Sequence, residues 1–241
     1  MELSEYVQME KQERGYWWHI GRRDVLQSVL SVHLSPKGDL KVLDVGCGTG
    51  INYAWLKEWG KITGLDPSPE ALSYCRDKKV YDELIEAPGE TIPGGKQYDL
   101  ITAFDVLEHI KEDEKALRSW QAALKPGGFV FISIPAYQWL FSAHDVALHH
   151  MRRYSAEELR RKFIAAGLTP LFIPPFFFFT FPIVAAVRIF NRGSTPKTSY
   201  VETNGIADRV LIWLNHLEAQ FLSNGGKLPW GSSLLVLARK R

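Results

Sequence analysis

The chain has 241 residues, 46% apolar and 23% charged, ordinary values for a globular chain long enough for one α/β domain with an insertion. A net charge of +2 gives no charge-based case for nucleic-acid binding. The two cysteines, Cys47 and Cys75, lack CxxC spacing, which argues against a disulfide framework or a zinc site and fits a cytoplasmic location.

Residues 1–38 read as a helical extension, polar at its start and without the apolar core of a secretory signal. Within it, Tyr16, Trp17, Trp18 and His19 precede Arg22 and Arg23. Aromatics beside arginines can close over a ligand as a lid, and an arginine can pair with a carboxylate or phosphate. A hydrophobic helix docked on a sheet explains the same residues. From residue 40 onward, strand and helix patterns alternate. Strands are expected at 41–45, 61–65, 100–104, 129–134, 169–173 and 233–238, with helices at 53–59, 69–78, 112–124 and 156–166. Alternation of this kind implies a parallel sheet covered by helices on both faces. Ser155 precedes AEEL and can cap a helix, with Glu158 completing a capping box. Lys125, Pro126, Gly127 and Gly128 end a helix and turn into a strand.

Residues 171–190 are almost wholly apolar over about the length of a membrane span. Pro174, Pro175 and Pro182 interrupt them and Arg188 sits inside, so they read as a strand, a bend and an amphipathic helix. Residues 175–230 are far longer than a normal loop and hold two helical candidates, 183–190 and 206–222. In the second, Val210, Leu211, Leu214, Leu217 and Phe221 form an apolar stripe, with Arg188, Arg192 and Lys197 nearby in sequence. Such a face suits a membrane surface or a lipid-tailed substrate, and core packing explains it equally well. Four consecutive phenylalanines at 176–179 cannot all face one core, which points to a hydrophobic substrate channel or a peripheral membrane contact.

The first strand runs into Gly46, Gly48 and Gly50. Glycines between a strand and a helix let a ligand approach the backbone closely. Ile51 and Asn52 stand where a P-loop needs Gly-Lys, and Ile51 also replaces the third glycine of a dinucleotide fingerprint, which disfavours a nicotinamide oxidoreductase. What remains is GxGxG with Asp44 two residues ahead, an acid able to hold the ammonium group of a methionine moiety directly or through water. Asp66, at the end of the second strand, can accept hydrogen bonds from ribose hydroxyls.

These pieces, LDVGCGTG (43–50), GLDPSPEAL (64–72), YDLITAFDVLEHI (98–110) and LKPGGFVFISIP (124–135), resemble the class I S-adenosylmethionine-dependent methyltransferases of the type 11 and ubiquinone-pathway kind. The resemblance implies an α/β, Rossmann-like, seven-stranded doubly wound sheet of order 3-2-1-4-5-7-6, last strand antiparallel. It assigns the cofactor wall to Asp44, Gly46, Cys47, Gly48, Gly50, Asp66, Pro67 and Phe104. Relatives often carry an Asp-Ala pair that holds the adenine. Here the region reads EAPGETIP, leaving Glu86 or the Gly89 and Glu90 backbone to supply that contact.

Asp105, Glu108 and His109 fall at i, i+3 and i+4, on one face if the turn is helical. Many methyltransferases without metal share such a turn. Ubiquinone-pathway and small-RNA methyltransferases carry one that holds magnesium, with a further histidine four residues before an aromatic, the spacing of His150 and Tyr154. The resemblance therefore implies a Mg²⁺ site at Asp105, Glu108, His109 and His150. Without metal, His109 or His144 can act as general base, since imidazole titrates near the working pH. The function expected is O-methylation of a small or lipid-linked acceptor. RNA methylation and non-catalytic cofactor binding are the alternatives, opposed respectively by the modest charge and by the intact DVLEH turn.

Overall fold

The computed structural model describes residues 15–34, 38–190, 193, 195 and 205–241; Arg192, Lys197 and the first fourteen residues of the N-terminal segment lie outside the described residues. The strands are β1 Leu40–Val45, β2 Gly60–Asp66, β3 Glu83–Glu86, β4 Tyr98–Phe104, β5 Leu124–Pro135, β6 Leu168–Phe172, β7 Pro175–Phe176 and β8 Ser233–Lys240. The helices are α1 Trp17–His33, α2 Tyr53–Leu56, α3 Pro69–Asp77, α4 Asp113–Ala123, α5 Ala143–Ala147, α6 Ala156–Ala165, α7 Phe181–Phe190 and α8 Gly205–Ser223.

The sheet order is β3-β2-β1-β4-β5-β8-β6, with β7 also paired to β8. Strands β1 to β5 pair in parallel, and β8 runs antiparallel between β5 and β6. This is the anticipated order with one addition, the two-residue β7. Strand β3 was invisible to hydrophobic periodicity because it is a half-exposed edge, ELIE, with little apolar content.

Successive side chains of each strand serve opposite faces. Leu43, Ile101, Val130, Ile132 and Val236 face α4 and α6, where Leu117, Trp120, Leu159 and Phe163 complete one core. Val42, Leu100, Phe131, Leu235 and Leu237 face Leu26, Leu30 and Leu222 in a second core. Local chemistry sets several helix starts. Ser68 Oγ accepts from Ala71 N at 3.2 Å, and Pro69, which has no N–H to lose, opens α3. Ser155 Oγ accepts from Glu158 N at 3.2 Å, the anticipated cap.

Helix α1 is docked, with Val25, Leu26, Val29 and Leu30 fully buried. It lies close against α8: a Cβ at Gly21 would stand 2.2 Å from Asn215 Nδ2. The phenylalanine run is split by a positive φ of 64° at Phe177. Phe176 and Phe177 enter the core, where Trp18 stacks on Phe177 at 5.5 Å, while Phe178 stacks on Trp230 and Phe179 is exposed. Glu218 of α8 holds this turn by accepting the backbone N–H groups of Phe177 and Phe178. The anticipated stripe of α8 is not its buried face: Val210, Leu217 and Phe221 are exposed, and Leu211 and Leu214 are half-buried. Asn215, Glu218, Ala219 and Leu222 are buried, and Ile206, Val210, Trp213, Leu217 and Phe221 are exposed. Helix α7 has no buried residue and exposes Ile183, Ile189 and Phe190. Among the described residues no helix is long and apolar enough to cross a membrane.

Burial pushes the Glu218 carboxyl up to about 7. A raised carboxyl contributes stability that is complete below its unfolded value, near 4.3, and is lost as pH rises through the folded value. Glu218→Gln should therefore remove a downward slope of stability between about pH 4.5 and pH 7, worth roughly 3 kcal/mol at most. Urea midpoints of both proteins across this range check it; a difference that stays constant with pH contradicts it.

Candidate active site

The turn after β1 carries Gly46, Gly48 and Gly50, each at positive φ. At Gly48 a Cβ would meet nothing closer than Gly46 O at 4.0 Å, so its missing side chain leaves open space in the cavity wall. The turn is tied down by Asp66 at the end of β2. Its Oδ2 accepts from Gly48 N at 2.9 Å and its Oδ1 from Ser68 N at 2.9 Å. Burial raises the Asp66 carboxyl, and these two bonds oppose the rise.

A cavity of about 400 Å³ opens over this turn, within the range of small-molecule sites. Residues 46–49, Ile51 and Asn52 form one wall, and Tyr16, Trp17, Trp18, His19 and Arg22 of the N-terminal segment form another. Phe104, Asp105, Glu108 and His109 come from the end of β4 and the turn beyond it. His144, Leu148, His150 and Arg153 follow β5, and Val184 and Arg188 come from α7.

Of the anticipated cofactor residues, Gly46, Cys47, Gly48 and Phe104 line the cavity, and the others stand outside its wall. Asp44 is fully buried behind the turn, where Tyr81 OH donates to it at 2.7 Å and Thr102 OH at 2.8 Å. Burial pushes its carboxyl up to about 6. Gly50 faces Val80 and Cys75, so its lack of a side chain serves packing. Gly89 O accepts from Trp120 Nε1 at 2.7 Å. Gly89, Glu90 and Pro67 do not reach the cavity.

The DVLEH segment departs from the helical expectation. Leu107–His109 is a single 3-10 turn, and Asp105 precedes it at a φ of 57°. Asp105 is ion-paired with Arg22, whose guanidinium also lies 5.0 Å from the centre of the Trp18 ring. Glu108, His109 and His150 instead come together, with ligand atoms all within 4.8 Å of one another. Asp105 is not one of this group; Arg22 holds its carboxylate.

Glu108 is fully buried, and no other described residue hydrogen-bonds either carboxylate oxygen. Burial, then the nearby Asp105 charge, pushes its carboxyl well up. His150 Nδ1 lies 3.0 Å from Asp145 Oδ1, and its Nε2 lies 3.9 Å from Glu108 Oε1. Burial and the neighbouring His150 lower His109 to about 4; burial and Arg188 lower His144 to about 3. Both rings are thus weaker bases than an ordinary imidazole. Burial overturns the ordinary imidazole value on which that expectation rested.

Arg153 is the residue that sequence reasoning missed; Asp145 falls with His144, His149 and His150 in one loop after β5, and Ser142-x-x-Asp145 carries a capping-box pattern that signals a fixed acid. The sequence reading assigned Arg188 to a surface face, whereas Arg188 lines the cavity.

A doubly covered sheet of this order, with a glycine turn ending β1, an acid ending β2 and a cavity above them, defines the Rossmann-like class I S-adenosylmethionine-dependent methyltransferases. The chain belongs to this family: the family model described as a methyltransferase domain matches residues 17–171. It is 34% identical over 99 residues to the ubiquinone biosynthesis O-methyltransferase of Hydrogenovibrio crunogenus, covering 38% of this chain and 41% of that relative. The matched part thus spans about two fifths of the curated relatives' length. An S-adenosylmethionine-dependent methyltransferase from Mesorhizobium loti superposes with a TM-score of 0.61 at 18% identity, covering 90% of this chain and 98% of that one. An N-methyltransferase from Bradyrhizobium japonicum, solved with S-adenosyl-L-homocysteine, gives 0.58 at 15% identity, covering 95% and 90%. At these identities the two structures bear on the fold alone.

The open space at Gly48 is a cradle that a Cβ would fill, and it fits a ligand lying on the turn. Gly48→Ala should weaken S-adenosyl-L-homocysteine binding at least about tenfold, or ~1.4 kcal/mol, by calorimetry. Undiminished affinity would place the cofactor elsewhere.

Proposed function

We propose that this chain methylates a hydroxyl of a small or lipid-linked acceptor, using S-adenosylmethionine as donor and a divalent ion held by Glu108, His109 and His150. The observation that carries the ion is the buried Glu108 carboxylate, with no hydrogen bond from another described residue and two imidazoles beside it. A buried carboxylate of this kind is costly unless a proton or a cation sits with it. Two imidazoles and one carboxylate suit a borderline ion such as Co²⁺ or Zn²⁺ best, and accept Mn²⁺ more readily than the Mg²⁺ of the initial expectation.

S-adenosylmethionine supplies an electrophilic methyl group; its S–CH₃ bond breaks as the acceptor's O–CH₃ bond forms. The turn at residues 46–49 would hold the donor through its backbone, while Asp66 keeps that turn in place. Trp18 and Arg22, fixed by Asp105, would close the cavity from above and exclude water. A divalent ion at Glu108, His109 and His150 would lower the pKa of an acceptor hydroxyl. The main contribution of the protein is placement of that oxygen in line with the methyl group.

Two observations favour an apolar acceptor carrying a hydroxyl. Helix α7 lines the cavity with Val184 and Arg188 and exposes Ile183, Ile189 and Phe190, so an apolar tail has a surface next to the cavity. The same surface suits contact with a membrane face. The curated relatives matched over two fifths of their length are named O-methyltransferases of ubiquinone biosynthesis.

Dialysis against EDTA should abolish methyl transfer to a catechol probe, and Mn²⁺ should restore it. Glu108→Gln should lower kcat/KM at least about a hundredfold, ~2.7 kcal/mol, with S-adenosyl-L-homocysteine affinity within about twofold. Full activity in EDTA contradicts the ion.

A further inference from the structure

We propose that Asp145 is a positioning residue: it fixes the His150 ring so that Nε2 presents its lone pair to a cation in the cavity. This rests on reading Glu108, His109 and His150 as a cation site, and it gives a role to an acid of the loop that follows β5.

Asp145 is fully buried, and its carboxylate is held on both oxygens. Oδ2 accepts from Ser142 N at 2.9 Å. Oδ1 accepts from Arg153 Nε at 2.8 Å and lies 3.0 Å from His150 Nδ1. The backbone joins the same residues, since His150 N donates to Asp145 O at 2.8 Å. Arg153 is anchored in turn: its Nη1 donates to Ala136 O at 3.2 Å and its backbone N to Gln138 Oε1 at 2.9 Å. The position of Oδ1 is thus set by the chain that follows β5.

A carboxylate is an acceptor only, so the 3.0 Å approach places the hydrogen on Nδ1. Neutral imidazole carries one such hydrogen, which leaves Nε2 as a lone pair. That lone pair faces Glu108 Oε1 across 3.9 Å. With no proton on Glu108 the two are facing acceptors that cannot hydrogen-bond, and a cation between them turns repulsion into ligation. The His109 ring completes the wall, 4.8 Å from the His150 ring and nearly perpendicular to it. A carboxylate behind a ligating histidine fixes ring and tautomer, and losing it typically lowers metal affinity 10–100-fold. Capping of α5 explains Oδ2 on Ser142 N. It leaves Oδ1, on His150 and Arg153, unexplained.

The test uses Co²⁺ as a visible probe on the metal-free full chain, with S-adenosyl-L-homocysteine affinity measured in parallel. Wild type should bind Co²⁺ with an imidazole-type spectrum, and Asp145→Asn should bind it about 10–100-fold more weakly with S-adenosyl-L-homocysteine affinity retained. Equal Co²⁺ affinity in the two proteins overturns the role of Asp145 while leaving the cation site standing. No Co²⁺ binding by wild type overturns the cation site and this inference with it. A second measurement needs no variant that must fold. Long-range ¹H–¹⁵N spectra of the metal-free wild type should show His150 protonated at Nδ1; protonation at Nε2 overturns the proposal.

Discussion

The ion pair between Arg22 and Asp105 ties the N-terminal helix, itself packed on the sheet, to the turn beyond β4. Asp105 is the first residue beyond β4, turned off the sheet edge by its positive φ. Arg22 reaches it from α1, and at 8% exposure this guanidinium needs an anionic partner. The contact does three things at once. It seats the N-terminal turn of α1 over the glycine turn, it stacks Trp18 on the guanidinium, and it engages the Asp105 carboxylate, which lines the cavity but stands apart from Glu108, His109 and His150. Glu108 is left with two imidazoles.

A second set of contacts makes this roof part of the core. Trp17 and Trp18 rest on Phe177, and Glu218 of α8 binds the backbone of that same turn. Gly21 lets α1 approach α8 at Asn215. The N-terminal helix and the long insert therefore share one hydrophobic layer with the sheet. The expectation of a docked helix holds, and the same helix lines the cavity with Trp17, Trp18, His19 and Arg22.

Features written within a few residues were legible in the sequence. The glycine turn after an apolar strand and Ser155 before AEEL both carry local steric or hydrogen-bonding consequences that hold in the fold. What escaped depends on distant partners. Nothing near Asp44 announces Tyr81 and Thr102, and nothing near Asp105 announces an arginine 83 residues away. The phenylalanine run hid the backbone reversal at Phe177, because a positive φ at a bulky residue has no sequence signature. His109 and His144 were read with solution imidazole in mind; burial, which belongs to the fold, moved both. His150 was flagged by spacing and Asp145 by its place in the same loop, but the contacts that join Asp145 to His150 and Arg153 exist only in the fold.

The central claim is that one cavity holds the methyl donor on the glycine turn and a cation at Glu108, His109 and His150. The most direct measurement is a crystal structure of the chain grown with S-adenosyl-L-homocysteine and Mn²⁺, with anomalous data at the manganese edge. The account predicts the homocysteine ligand against residues 46–49 and an anomalous peak among the three side chains of the same cavity. A ligand bound away from the glycine turn, or manganese absent from those side chains at saturating concentration, would contradict it.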